Sequence, residues 1–266
     1  MKTIAIIPAR MASSRFLGKP LAKIHGIPMI GHVYFRTKMC PLLSETYVAT
    51  CDQEIFDYIV SIGGKAIMTA YTHERASDRT AEAMLKIESE TGRKVDIVVM
   101  VQGDEPMLTP EMIEQAATPM LNDSSIQVLN LMARINTLEE FEDPNEVKVV
   151  VDPQSNAIYF SREPIPSRKK GATDVPMLKQ VCIIPFKRDF LLKFNDLEPT
   201  PLEIIESVDM MRVIEHGYKV KMVFSDVKTY SVDTAEDLAR VEKLMENDPL
   251  INQYPRHCSS VKELSK

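Results

Sequence analysis

The sequence predicts an α/β fold with a mainly parallel central sheet, helices on both faces and a smaller antiparallel insertion. Three observations carry that reading. Strand-like and helix-like segments alternate through the first 120 residues, the rhythm of βαβ units. From residue 126 the strand-like segments follow one another with little helix between them. The first apolar run, residues 3–7, empties into a cation-rich loop at the carboxyl end of a strand, where open α/β sheets bind ligands.

Taken in order, residues 3–7 read as a buried first strand. The stretch Ile7-Pro8-Ala9-Arg10-Met11-Ala12-Ser13-Ser14-Arg15-Phe16-Leu17-Gly18-Lys19-Pro20-Leu21 then places Arg10, Arg15 and Lys19 within ten residues, and Gly18 lets the backbone approach a ligand. Such a loop suits an anion, foremost a nucleoside triphosphate. It is neither a P-loop nor the G-x-G-x-x-G fingerprint, since one glycine precedes Lys19 and Pro20 follows it. A solvated basic loop is the blander alternative, disfavoured by three cations placed directly after a buried strand. Further strands are expected at 46–50, 65–68 and 96–101, and helices at 29–39, 53–62, 77–90 and 110–120. Thr109 as N-cap and Pro110 at the first helical position mark the start of the last of these. Residues 126–134, 147–151 and 157–161 read as strands of an antiparallel insertion or sheet extension, and 181–185 as a strand returning to the core. A helix at 201–215, a strand at 219–224 and a helix at 234–245, opened by Asp233 or Thr234, complete the pattern. The expected organisation is one domain over 1–246 with its insertion at about 126–180, then a polar tail at 247–266.

Composition narrows the function classes. With 266 residues and 44% hydrophobic content, the chain can bury a sizeable core. Its net charge of -6 argues against a general nucleic-acid binder, so cations that meet an anionic ligand must be concentrated locally. Cys40, Cys51, Cys182 and Cys258 show no CxxC spacing and read as reduced thiols. Met1-Lys2 leads straight into the first strand, so no signal peptide is expected. No apolar run approaches the roughly 18 residues of a membrane span, and a cytoplasmic location is expected.

Two carboxylates stand out. Val101-Gln102-Gly103-Asp104-Glu105-Pro106 follows an apolar run, again at a strand's carboxyl end. Asp104 suits a hard cation such as Mg²⁺, which binds triphosphates through one or two carboxylates, although Gly-Asp-Glu-Pro is equally a simple turn. Asp233 lies at another strand-to-helix junction, where capping the helix is its blander role. Together the two are suited to chelate one metal between substrate and nucleotide. The segment from Met68 to Arg79 offers small polar residues for a nucleobase edge and two arginines, Arg75 and Arg79. Ser77 or Asp78 there would cap a helix, and a helix N-terminus itself favours anions. Arg162, beyond a strand end, has the fork to meet a carboxylate. Glu203 and Glu206 open a helix, where acids also complement its dipole. His73 and His216 lack metal-ligand spacing.

These motifs resemble, in order, those of 3-deoxy-manno-octulosonate (Kdo) cytidylyltransferases, the CMP-Kdo synthetases. The resemblance covers 6 to about 244 and rests on Pro-Ala-Arg-x4-Arg-x2-Gly-Lys-Pro at 8–20, Gln-Gly-Asp-Glu-Pro at 102–106 and Pro-Asn-x-Val-Lys-Val-Val at 144–150. It continues in Tyr-Phe-Ser-Arg-x2-Ile-Pro at 159–166, Pro-x-Pro-Leu-Glu-x2-Glu at 199–206 and Val-Asp-Thr-x-Glu-Asp-Leu at 232–238. The resemblance implies a Rossmann-like nucleotide-diphosphosugar transferase fold and a Mg²⁺ cofactor held by Asp104 and Asp233. It implies CTP phosphates held by Arg10, Arg15 and Lys19, nucleotide contacts from Ala9, Arg79 and Gln102, and cytosine read around Thr69 to Ser77. Gln102, Arg162, Gln180, Glu203 and Asp209 would contact the sugar acid, and Arg10, Lys19 and Asp104 would carry catalysis. The anomeric hydroxyl of a 2-keto-3-deoxy sugar acid would attack the α-phosphorus, releasing pyrophosphate and a CMP-sugar for surface polysaccharide. A homodimer paired through the inserted sheet is also implied, with no nucleic-acid or membrane partner.

The chain departs from the family pattern where base and sugar are read. The family's His-x-Ser-Gly-Thr-(Asp/Glu)-Arg is here His73-Glu74-Arg75-Ala76-Ser77-Asp78-Arg79. Its Arg-His-x-Gly-Ile-Tyr becomes Lys179-Gln180-Val181-Cys182-Ile183-Ile184, and its Glu-Gln pair becomes Asp209-Met210. Phosphate and metal residues are kept while sugar-facing ones change, so the acceptor need not be Kdo itself. Alternatives are a nucleotidyltransferase for another sugar or nucleotide, and a catalytically silent nucleotide-binding homologue.

Overall fold

The structure is a computed structural model that describes residues 1–12, 16–171 and 174–255. β1 (Thr3–Ala9) is buried along its whole length, as a strand covered on both faces must be. Beyond it the chain turns at Gly18, whose φ of 73° lies in the left-handed region, into a single 3-10 turn at Lys19–Leu21. A tight hairpin follows, β2 (Lys23–Ile24) and β3 (Ile27–Pro28). Its central residues His25 and Gly26 have φ of 49° and 81°, the paired positive angles that match the twist of hairpin strands.

Then α1 (Met29–Lys38), β4 (Glu45–Thr50), α2 (Gln53–Ser61), β5 (Ala66–Met68), α3 (Ala76–Thr91) and β6 (Ile97–Val101) alternate. β4 and β6 flank β1 in parallel and β5 pairs parallel to β4, giving the order β6-β1-β4-β5. The register Ile6↔Met100 sets the carboxyl ends of β1 and β6 side by side, so the loops that start at Arg10 and Gln102 leave the sheet as neighbours. α3 begins after Arg75, without a side-chain cap, so neither Ser77 nor Asp78 is its N-cap. Both lie inside its first turn. α4 (Pro110–Asn122) starts where expected, but the Thr109 hydroxyl has no hydrogen-bond partner among the described residues and does not cap it.

The chain divides into two compact units, Met1–Glu114 with the chain from Thr229 on, and Gln115–Lys228. The second holds β7 (Leu129–Arg134), α5 (Leu138–Glu142), β8 (Lys148–Val151), β9 (Ala157–Ser161), β10 (Leu178–Val181), β11 (Ile183–Lys187), α6 (Arg188–Asp196), α7 (Pro201–Glu206), α8 (Met210–Glu215) and β12 (Lys221–Ser225). Its sheet has the order β12-β7-β10-β8-β9, antiparallel except for the β12–β7 pair. Two expectations need correction here. The strand at 181–185 is two strands broken at Cys182. The helix at 201–215 is also two, because Ser207 turns left-handed (φ 53°) and the Val208 amide bonds back to the Glu203 carbonyl, closing α7.

The first unit resumes with α9 (Ala235–Leu244), capped by a reciprocal box between Thr234 and Asp237. The following segment straps onto α1. Arg36, fully buried, donates to the Asp248 carboxylate at 2.7 Å, the Tyr254 hydroxyl at 2.8 Å and the Leu108 carbonyl at 3.2 Å. Tyr254 meets the His32 Nδ1 at 3.1 Å, and the His32 Nε2 donates to the Ile24 carbonyl at 2.9 Å. The Tyr254 hydroxyl therefore donates to His32 while accepting from Arg36, and His32 is neutral. Ile24, Met29, Val232, Val241 and Met245 form the apolar cluster beneath this network.

Candidate active site

A cavity of about 310 Å³ opens at the carboxyl ends of β1 and β6. Ala9, Arg10, Lys19 and Pro20 line it from the β1 side, Gln102, Gly103 and Asp104 from the β6 side, and Asp233 from the segment before α9. Gly103 is required by closeness: a Cβ there would stand 3.2 Å from Ile30 Cδ1 and 3.3 Å from the Pro8 carbonyl oxygen. The Val232 amide donates to the Asp104 carbonyl at 2.9 Å, which draws the late segment alongside the early one. Thr234 caps α9, so Asp233 is left to face the cavity rather than to cap the helix.

Lys19 joins the two carboxylates. Its Nζ donates to Asp104 Oδ2 at 2.9 Å and to Asp233 Oδ1 at 3.1 Å. Burial alone would push the ammonium pKa down, but the two carboxylates outweigh it and hold the pKa above its ordinary value. Two hard oxygen ligands thus converge on one point. Among the described residues no group of three or more His, Cys, Asp or Glu side chains is placed to hold a metal. A pair of carboxylates beside a cationic cavity fits Mg²⁺, which takes few protein ligands and completes its shell with phosphate and water.

Across residues 4–253 the sequence matches the family model described as Cytidylyltransferase. The chain belongs to the cytidylyltransferase family. The 3-deoxy-manno-octulosonate cytidylyltransferase of Geobacter metallireducens is 43% identical, over 92% of this chain and 98% of that protein. The enzyme of the same name from Geotalea uraniireducens is 44% identical, over 91% and 98%. A solved CMP:2-keto-3-deoxy-manno-octonic acid synthetase complexed with CTP is similar with a TM-score of 0.85 and 36% identity, over 93% of this chain and all of that one. A cytidylyltransferase from Leptospira borgpetersenii serovar Hardjo-bovis shares the fold at a TM-score of 0.61 and 16% identity.

The remaining residues that the sequence reading assigned to the nucleotide fall into two groups. Arg79 lines the cavity together with His73, Arg75 and Ala76. Its guanidinium is tied to the loop itself, donating to Thr69 Oγ1 at 2.5 Å and to the carbonyls of Ala70 and His73 at 3.3 and 3.4 Å. Thr69 and Ser77, read as base contacts, are buried and are not among the residues that line the cavity. Arg15 lies outside the described residues. Sequence reasoning missed Glu82, which accepts from the Ala70 amide at 2.9 Å, His73 Nε2 at 2.5 Å and Lys86 Nζ at 2.7 Å. Partial burial opposes its ionisation, yet Lys86, the Ala70 amide and His73 outweigh it and bring its pKa down to about 2. Its spacing from Lys86, one helical turn, was the available signal.

The residues read as sugar contacts, Gln102 apart, lie in the second unit, and two are occupied structurally. Arg162 donates to the carbonyls of Glu206 at 2.7 Å, Pro144 at 2.8 Å and Ser207 at 3.3 Å, stapling the end of α7 rather than presenting a free fork. Glu203 is buried, accepts from Arg212 Nε and Nη2 at 2.8 Å each and from the Thr200 amide at 3.2 Å. Gln180 Nε2 donates to Asn130 Oδ1 at 2.5 Å. Asp209 is half-buried at the start of α8, and Met210 beside it is core. Among the described residues no helix is long and apolar enough to cross a membrane.

Proposed function

We propose that the protein transfers a cytidylyl group from CTP to the anomeric hydroxyl of a 2-keto-3-deoxy sugar acid, Kdo or a close ulosonic acid, and releases pyrophosphate. The single observation that carries the reading is the convergence of Lys19, Asp104 and Asp233 on one wall of a cavity that Arg10 and Arg79 also line. The names of the relatives at 43% and 44% identity support both nucleotide and acceptor.

Phosphoryl-type transfer asks a protein mainly for positioning and charge neutralisation. Arg10 and Lys19 would hold phosphate oxygens, and the 69–75 loop, braced by Arg79 and Glu82, would face the base. Asp104 and Asp233 would hold Mg²⁺, which supplies charge stabilisation at the α-phosphate and a template for the attacking hydroxyl. The cationic wall would then favour the charge that builds on the leaving pyrophosphate. We further read a cytoplasmic homodimer serving surface polysaccharide synthesis. Ile204 and Ile205 of α7, 64% and 72% exposed, are apolar groups that a second copy would cover.

Pyrophosphate release with CTP and Mg²⁺ across Kdo, its amino analogue and nine-carbon ulosonic acids tests this. Release with one of these acids supports the reading, and the preferred acid defines the acceptor. CTP binding without release for any acid would leave a nucleotide-binding protein of another role.

A further inference from the structure

We propose that Lys19 is the resident counter-cation of the metal site: its ammonium keeps Asp104 and Asp233 together in the free protein, and a divalent ion enters only as Lys19 is drawn off onto a bound triphosphate. This rests on the reading that those two carboxylates hold Mg²⁺.

Two carboxylates brought to one point repel each other unless a cation lies between them. Lys19 Nζ lies there, 2.9 Å from Asp104 Oδ2 and 3.1 Å from Asp233 Oδ1. The three side chains are largely shielded from water, with exposures of 13%, 22% and 14%, so the pairing is screened less than a surface bridge. A Mg²⁺ ion on the same oxygens would sit at roughly 2.0–2.1 Å from each. Ammonium and metal ion therefore compete for one place.

Charge decides when the exchange is favourable. The displaced ammonium stays on a wall that it shares with Arg10 and Arg79. Metal entry without nucleotide would leave a divalent ion, a lysine and three arginines (Arg10, Arg75, Arg79) facing three carboxylates (Glu74, Asp104, Asp233), a strongly positive pocket. A triphosphate reverses that sign and offers Lys19 new oxygen acceptors. Nucleotide and metal thus bind with positive coupling, and the coupling is reciprocal. The free enzyme keeps its carboxylates converged and closed to stray divalent ions.

The test measures Mn²⁺ binding to the full chain by water-proton relaxation, without and with CTP, for the parent and for Lys19→Met. The nucleotide-free variant is expected to bind Mn²⁺ at least about tenfold more tightly than the parent, the scale of one close charge pair. Equal or weaker binding by the folded variant overturns the proposal. Failure of the parent to bind Mn²⁺ even with CTP removes the metal reading, and the proposal falls with it. The unmutated protein gives a second readout through the lysine-ammonium NMR signals of Lys19, Lys148 and Lys179, all three held by internal acceptors. Low Mg²⁺ without nucleotide is expected to leave all three signals in place, whereas Mg²⁺ added together with CTP is expected to shift one of them while the other two stay. If none moves, the exchange does not occur.

Discussion

Acid should loosen this protein through His32. The ring is fully buried, and its Nδ1 accepts from Tyr254 while its Nε2 donates to Ile24. Burial pushes its pKa down, the Ile24 carbonyl resists, and nearby Arg36 adds to the depression, leaving a value of about 4 against an ordinary 6.5. The unfolded chain therefore binds a proton that the native state refuses throughout the window from 6.5 to 4. Stability rises with pH across that window, so it is lost on acidification from the ordinary value downward and levels off below the native value. At about pH 5 the gap is about 1.5 pH units, which at about 1.4 kcal/mol per unit is a loss of about 2 kcal/mol relative to neutrality. Urea denaturation of the parent and of His32→Gln at about pH 7.5 and about pH 5 isolates the effect. The variant is less stable at both values, but its pH-dependent loss should be smaller than the parent's by about 2 kcal/mol. Equal losses in the two proteins would refute the argument.

Glu203→Gln should cost about 3–5 kcal/mol by stranding the buried Arg212 charge, seen as a lowered Tm with little change in sugar-acid KM at permissive temperature; raised KM at unchanged Tm would return Glu203 to the sugar. Glu82→Gln should release the Ala70 amide and His73 and raise KM for CTP several-fold with a smaller effect on kcat, measured by steady-state kinetics. With its pKa near 2, the Glu82 carboxylate should hold that loop without titrating between about pH 5 and 8, so the parent and Glu82→Gln should show parallel pH profiles of CTP binding over that range. Gly103→Ala should cost about 1–3 kcal/mol, read by denaturation, because the Pro8 carbonyl and Ile30 leave no ordinary space for a methyl group.

The parallel half of the fold was legible because β1 and β6 are apolar runs and strand-like and helix-like segments alternate between them. The anion loop and both aspartates were legible for a related reason: charged residues at the ends of buried strands have few structural uses. The second unit was harder. α6 opens on Arg188-Asp189, which masks the buried Phe190, Leu191 and Phe194 behind it. The break at Ser207 carries neither glycine nor proline, and only the Val208 bond to Glu203 defines it. The internal partners of Arg162 and Glu203 were not legible, because an arginine or glutamate looks the same in sequence whether it meets a ligand or a group of its own fold. The bridge through Lys19 spans separations of 85 and 214 residues, which no local pattern encodes. Only the resemblance to a family suggested that Asp104 and Asp233 meet.

The split of the first unit also governs when the site can come into being. A ribosome releases Lys19, Arg36 and Asp104 early, then makes all of the contiguous unit Gln115–Lys228, and only afterwards supplies Asp233, Asp248 and Tyr254. Arg36 does not meet the Asp248 carboxylate until the final stretch arrives, and Asp104 and Asp233 cannot face each other before then. Vectorial synthesis thus makes completion of the cavity the last event in the production of each molecule, and a truncated nascent chain carries Arg10, Lys19 and Asp104 without the Asp233 that closes their wall.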